Sequence, residues 1–234
     1  MESISPAMKN GFTAPWFDPY AALRPDGYVL LASLLREPPS RSIIEILRKL
    51  QWESGIPEKL DDALTALRQA CLNCDPAEVQ SEYNRLFVGL GSGEIVPYAS
   101  WYKDKRIQSA PLASLRSDLM KAGIVRQAGH HDSEDHAGAL CEIMAILSQR
   151  QNGVDLANQA AFFERHIGSW MPRLFDDIRQ ARSSDFYRHV GCLGRRFLET
   201  EHEFLNSAAN SPNDQEKGER KDEDEFFKRP ADIH

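Results

Sequence analysis

Apolar residues recur at three- and four-residue steps along most of this chain, the spacing that lines up one face of an α-helix. Tyr20, Leu23, Val29, Leu30, Leu34 and Leu35 predict a first helix between Asp18 and Leu35, opening after Pro25 or Asp26 and barred from continuing by Pro38-Pro39. A second opens at Ser40 or Arg41 with the stripe Ile43, Ile44, Leu47 and Leu50. The Gly55-Ile56-Pro57 stop separates it from a third carrying Leu60, Ala63, Leu64 and Leu67.

Asp75-Pro76-Ala77-Glu78 combines an N-cap acceptor, a proline with no amide hydrogen to waste and a reaching glutamate, so a helix through Phe87 is expected. Gly89, Gly91 and Gly93 end it and begin a loop holding Tyr98, Trp101 and Tyr102, where no regular element is expected to hide them. Pro111 starts a further helix that stops at Gly123. Ser133 or Asp132 is placed to cap a long helix with His136, Leu140, Ile143, Met144 and Leu147 on one stripe. After Gly153 come two more segments ending near Arg182, then a last helix from Ser184 to about Asn206. No stretch alternates in period two long enough to require a strand, so the fold class is all-α. It is organised as an extension over 1–19, one helical domain over 20–206 and a disordered, charged, acidic tail over 207–234.

The totals narrow the function classes. A chain of 234 residues, 41% hydrophobic and 27% charged, suits one soluble domain with extensions. Without a basic head and apolar run near its start, it is expected in the cytoplasm; the longest apolar string there, Val29 to Ala32, is far short of a membrane span. Four cysteines are too sparse for a disulfide scaffold, and a net charge of −7 lacks the footprint that nucleic acid requires.

GLGSGE fails as a phosphate loop, because no Lys-Ser/Thr pair follows and no strand precedes it. Cys71 and Cys74 have the spacing of half a zinc site, but Cys141 and Cys192 are unpaired, so all are expected as packing residues and no metal or cofactor is assigned. HHDSEDH, from His130 to His136, is denser in potential ligands. Its acids are accounted for by helix-dipole chemistry, whereas His136 at the head of an apolar stripe needs a hydrogen-bond partner. A metal-dependent hydrolase centred on His130, His131, Asp132, Asp135 and His136 is the competing enzymatic reading, and an adaptor recruiting through its acidic tail is a third.

Two segments together carry a resemblance. Glu82-Tyr83-Asn84-Arg85-Leu86-Phe87 followed by Pro97-Tyr98-Ala99-Ser100-Trp101-Tyr102 resembles the first signature of the TorD/DmsD family of redox-enzyme maturation chaperones. Asp132-Ser133-Glu134-Asp135-His136 resembles its second, a Glu-Pro-x-Asp-His hinge, with Asp132 in place of glutamate and Ser133 in place of proline. Phe162 to Pro172 is similar to the family's Phe-x-x-x-His-Leu-x-x-Trp-x-Pro stretch. The likeness spans roughly Tyr28 to Glu203; the first two dozen residues and the tail have no counterpart in it.

The resemblance implies a TorD-like helical bundle without enzymatic activity. Such a protein binds the twin-arginine signal peptide, and sometimes the body, of a molybdenum-cofactor oxidoreductase until the cofactor is inserted. From the sequence itself, a monomer and a domain-swapped homodimer are both open, since the long glycine-rich connection would permit exchange. Such a leader offers two guanidinium groups and an apolar stretch, so carboxylates beside an aromatic groove are required. Tyr98, Trp101 and Tyr102 are the candidate wall, with Leu86 and Phe87 beneath; Asp132, Glu134, Asp135 and His136 are the candidate polar side. The alternative for the rings is that they fold inward to plug the joint between two halves of the bundle.

Overall fold

In the computed structural model, proline, glycine and capping side chains divide the described residues into ten α-helices. The described residues are 19–52, 55–89, 93–124, 133–149 and 154–209, with side chains as far as 207. The helices are α1 (Pro19–Leu35), α2 (Arg41–Arg48), α3 (Glu58–Asn73), α4 (Pro76–Tyr83), α5 (Ala99–Asp104), α6 (Ala110–Lys121), α7 (Ala137–Ser148), α8 (Leu156–Phe163), α9 (Met171–Gln180) and α10 (Phe186–Ala209). No strand occurs among the described residues, and the expected all-α class holds. The N-terminal residues 1–18, Gly91, His130 to Asp132 and the tail from 210 onward lie outside the described residues.

Several helix ends follow the local chemistry. Ser40 caps α2 by accepting the Ile43 N–H, and Asp75 caps α4 by accepting the Ala77 N–H at 2.9 Å, directly ahead of Pro76. Asp155 caps α8 through the Asn158 N–H at 2.7 Å.

Three boundaries differ from expectation. First, α1 begins at Pro19 and runs through Pro25 instead of opening after it. The reason lies across the bundle. Tyr20, Arg24 and Tyr28, at four-residue steps on one face, all bind the Glu201 carboxylate of α10. Arg24 Nε and Nη2 donate to its two oxygens at 2.8 and 2.7 Å, and the tyrosine hydroxyls donate at 2.8 and 3.1 Å. Arg24 Nη2 also donates to Gln159 Oε1 of α8 at 2.8 Å, and the Phe204 ring lies 4.6 Å from the guanidinium carbon. Glu201 is wholly buried and Arg24 almost so. Burial opposes the charge on Arg24, and the hydrogen bonds and negative charge of Glu201 more than reverse it, so its pKa rises. The tertiary network overrides the local cost of one proline.

Second, α4 stops at Tyr83, and Asn84–Val88 widens into a π-turn that ends at Gly89, whose N–H reaches Asn84 O at 2.8 Å. The turn sets Phe87 against Tyr83 and Tyr187, ring centroids 4.9 and 5.4 Å away. Gly93 then returns so close that a Cβ there would stand 2.3 Å from Leu86 O, which only glycine allows. Third, the loop expected to hold Tyr98, Trp101 and Tyr102 contains the short helix α5. A second π-turn, Glu164–Gly168, joins α8 to the approach of α9.

The long α10 packs against α3, α8 and α9, while α1 lies along α7. Glu82 joins the layers: its carboxylate, almost fully buried, accepts the backbone N–H groups of Asp185, Phe186 and Tyr187 at 2.8, 3.0 and 2.7 Å and so caps α10 from another helix. Tyr83 and Tyr187 hydroxyls donate to Leu35 O and Leu34 O at the end of α1. Glu201→Ala strands the Arg24 guanidinium in the core and is expected to cost about 3–5 kcal/mol, read as a lower urea midpoint. Arg24→Met with Glu201→Leu should recover most of that loss; a single-variant loss below about 1 kcal/mol would contradict a buried pair.

Candidate functional site

The motif residues meet at a joint between α5 and α7. Pro97 to Ala99 lies antiparallel to Asp135 to Ala137: the Ala99 N–H donates to Asp135 O at 2.9 Å and the Ala137 N–H to Pro97 O at 2.8 Å. Tyr98 and His136, opposite each other, have ring centroids 5.0 Å apart. Both helices begin here. His136, and not Ser133 or Asp132, caps α7, its Nδ1 accepting the Gly138 N–H at 3.1 Å; this is the partner its apolar position called for. Asp135, expected in the first turn of that helix, instead precedes the cap. It is wholly buried, and its Oδ2 accepts the Ser100 N–H of α5 at 3.0 Å. Among the described residues its Oδ1 has no hydrogen-bond partner.

The predicted site residues therefore divide by position. Leu86 is core, Phe87 is half-buried among aromatic rings, and Asp135 and His136 are inside the joint. Glu134 is held by Arg116, with Nε 3.2 Å from each carboxylate oxygen and Nη2 at 2.9 Å. Tyr102 turns inward. Its hydroxyl donates to Asp177 at 2.7 Å and its ring lies 5.3 Å from Trp170. Tyr98 is half-buried, and Trp101 alone among the named rings is exposed, at 36%. Asp132 lies outside the described residues. Around Trp101 the surface is basic: Lys103, Lys105 and Arg106 are exposed, with Asp104 the acid among them, and Lys105 Nζ sits 5.6 Å from the Trp101 ring.

The third motif segment packs behind this joint. His166 and Arg165 converge on Asp118 of α6, with His166 Nε2 at 2.8 Å and Arg165 Nη1 at 2.9 Å, and Trp170 Nε1 donates to His166 O at 2.7 Å. Burial pulls the His166 pKa down more strongly than Asp118 raises it. The Asp118 carboxylate can only accept, so a neutral His166 ring satisfies the contact as the tautomer that donates from Nε2. Burial also opposes ionisation of Asp118, but the hydrogen bonds and charges of His166 and Arg165 hold its carboxyl below the ordinary value.

Away from the motifs lies an apolar groove of about 310 Å³, large enough for a ligand segment. Its walls come from α1, α2 and α3, and Leu193 and Phe197 of α10 form the floor. Val29 and Ile46 stand 53% and 60% exposed at its rim, and Asp26 is the charged residue in the lining. Gly27 is required here, because a Cβ would fall 2.3 Å from the Phe197 ring and push α1 off the floor. Trp52 closes one end, its Nε1 donating to Asp61 at 2.6 Å. The sequence does carry a signal for this groove. The apolar residues of α1, with Val29 and Leu30 beside Tyr28 and Leu31, span more than one face, and α2 pairs Ile43 and Ile46 with Ile44 and Leu47.

Chemistry is sparse. Among the described residues no group of three metal-ligating side chains converges, and no helix is long and apolar enough to cross a membrane. The four cysteines are free thiols; burial pushes Cys71 up to about 12, which leaves it inert near neutral pH. The His130, His131 and Asp132 of the competing metal site are outside the described residues.

A fold of this kind has been solved: 74% of the chain superposes on 93% of a protein described as a redox enzyme maturation protein from Archaeoglobus fulgidus, with a TM-score of 0.50 and 18% identity. The sequence model of the nitrate reductase delta subunit family matches residues 53–176, more than half of the chain, and the chain belongs to that family. Relatives include a chaperone protein TorD of Actinobacillus pleuropneumoniae, 26% identical over 73% of this chain and 87% of its own length. Another is a Haemophilus influenzae protein described as a Tat proofreading chaperone DmsD, 24% identical over 64% of this chain and 71% of its own. The resemblance to the TorD/DmsD chaperones is borne out.

The Asp118–His166 pair predicts a pH dependence. A histidine whose folded value lies below the unfolded value of about 6.5 contributes stability that is present above that pH. The contribution falls away below it, since the unfolded chain takes the proton first. Asp118 contributes in the same direction at lower pH, below about 4. His166→Gln is expected to start about 1–2 kcal/mol less stable at pH 7.5 and to lose less than the wild type on moving to pH 5, by urea unfolding. Parallel losses in both chains would count against the buried neutral ring.

Proposed function

We propose that this chain is a non-catalytic maturation chaperone of the cytoplasm. It holds the twin-arginine leader of a molybdenum-cofactor oxidoreductase precursor until the cofactor is inserted, and it seats the apolar stretch of that leader in the α1–α2–α3 groove. The observation that carries the groove assignment is its lining, apolar except for a few positions, with Val29 and Ile46 left open at the rim. Membership of the family and the names of the TorD and DmsD relatives support the class of partner.

The energetic scale is adequate. Covering about 300 Å² of apolar surface at about 25 cal/mol per Å² is worth about 7–8 kcal/mol before ordering costs, the order of a micromolar complex. The guanidinium groups add selection more than strength. Exposed Asp26 at the groove favours them.

A second reading places the leader on the motif surface, over Tyr98, Trp101 and Tyr102 with Leu86 and Phe87 beneath and Asp132, Glu134, Asp135 and His136 beside them. The exposure of Trp101 favours it. The setting weighs against it: Glu134 is already paired, Asp135 is buried, and Lys105 already lies over the ring.

Titration of a synthetic twin-arginine leader separates the two. Ile46→Asp should weaken binding by about tenfold or more while Trp101→Ala changes it by less than about threefold, both variants keeping their helical circular dichroism. The reverse pattern would move the leader to the motif surface. Equal affinity for the natural, Lys-Lys and scrambled peptides would remove leader recognition altogether.

A further inference from the structure

The described chain opens at the mouth of the groove. Pro19, the first residue of α1, packs where its ring would stand 3.2 Å from a Cβ on Gly55, three residues beyond the Trp52 that closes the groove. Pro19 and the lining residue Leu23 are one turn apart on the same face of α1. Immediately before this point the sequence reads Phe12-Thr13-Ala14-Pro15-Trp16-Phe17, three aromatic residues with no charge among them.

We infer that this segment, Phe12 to Phe17, is recognised by the groove between α1, α2 and α3 as its resident occupant. Three observations on the molecule agree. The lining is apolar at most positions, its charged residue Asp26 is exposed to solvent, and the segment is uncharged and aromatic, so docking need not bury a charge. Six residues reach about 20 Å when extended, and the lining of α1 from Leu23 to Ser33 runs about 15 Å, so a segment turning back at Asp18 spans it. Covalent attachment at the groove mouth also gives the segment a high effective concentration, so weak intrinsic affinity suffices.

The inference is independent of the leader reading, although the two would compete for one surface. An internal occupant lowers the apparent affinity of any other by the fraction of time that the groove is open. It also shields Val29 and Ile46 from meeting the same residues on a second copy of the chain.

The test uses the full chain and a labelled peptide of residues Asn10 to Asp18, with no leader present. In the Phe12→Ala/Trp16→Ala/Phe17→Ala variant the groove should be vacated, and the peptide is expected to bind about tenfold or more tighter than to the wild type. Adding Ile46→Asp, or separately Val29→Asp, should abolish that gain; both sites are solvent-exposed, so folding is retained, as checked by circular dichroism. Equal peptide binding to the wild type and the triple variant, or binding indifferent to Ile46→Asp, would overturn the inference. So would a dimer in the wild type that Ile46→Asp dissolves, since a second copy would then cover the groove. Because no arm contains a leader, failure here leaves the leader reading standing, and loss of leader binding leaves this inference standing.

Discussion

The spacing between α1 and α10 depends on one buried carboxylate. Glu201 receives four hydrogen bonds, two from Arg24 and one each from Tyr20 and Tyr28, and Arg24 passes a fifth on to Gln159. A pair of charges taken fully out of water is tolerable only when nearly every donor and acceptor is satisfied, and that demand fixes both helices in rotation and in height. The groove inherits this precision. Phe197 lies one turn before Glu201 and Gly27 three residues after Arg24, so the contact that forms the floor is set by the ion pair beside it. A hydrophobic contact alone would allow α1 to slide; the carboxylate does not.

The polar residues of the motifs serve a related purpose. Glu82 caps α10 from α4, Asp135 caps α5 from the turn before α7, and His136 caps α7 itself. Each satisfies helix-end N–H groups that would otherwise be buried without partners, and two of the three do so across long sequence separations. Acids and histidines gathered in short motifs invite a catalytic or ligand-binding reading. Here the described ones are engaged inside the protein, which accounts for their residue types through the fold. The widened turns at Asn84–Val88 and Glu164–Gly168 fall within two of the same segments. Each shifts the helical register so that one element can serve two neighbours.

Helix order and most helix ends were legible from the sequence because they rest on local chemistry: Asp75 before Pro76, Ser40 before α2, Pro38-Pro39 after α1. What could not be read is what distant residues decide. Pro25 looked like a boundary until Glu201, far along the chain, supplied a reason for α1 to continue. Ser133 looked like a cap until the Pro97–Ala99 segment paired with Asp135–Ala137 and moved the helix start to His136. Trp101 and Tyr102 share α5, yet one faces solvent and the other Asp177, a division that depends on Trp170 and Asp177 rather than on the Ala99–Asp104 sequence. The groove was readable only as an excess of apolar faces on α1 and α2, without the shape that makes it a cleft.

Charge placement separates the two surfaces as receptors for a cationic, apolar ligand. At Trp101 the ring face is approached by Lys105, so a guanidinium arriving there meets like charge before it meets the ring. At the groove the charged residue of the lining is the exposed Asp26, and Arg68 lies against the lining too, its guanidinium carbon 5.8 Å from the Trp52 ring. Over a screening length of about 8 Å only such nearby charges count, so the net charge of −7 cannot rescue a locally basic patch. A floor held rigid by the Arg24–Glu201 pair also reduces what a ligand must spend on ordering the protein, leaving more of the apolar contact to appear as affinity.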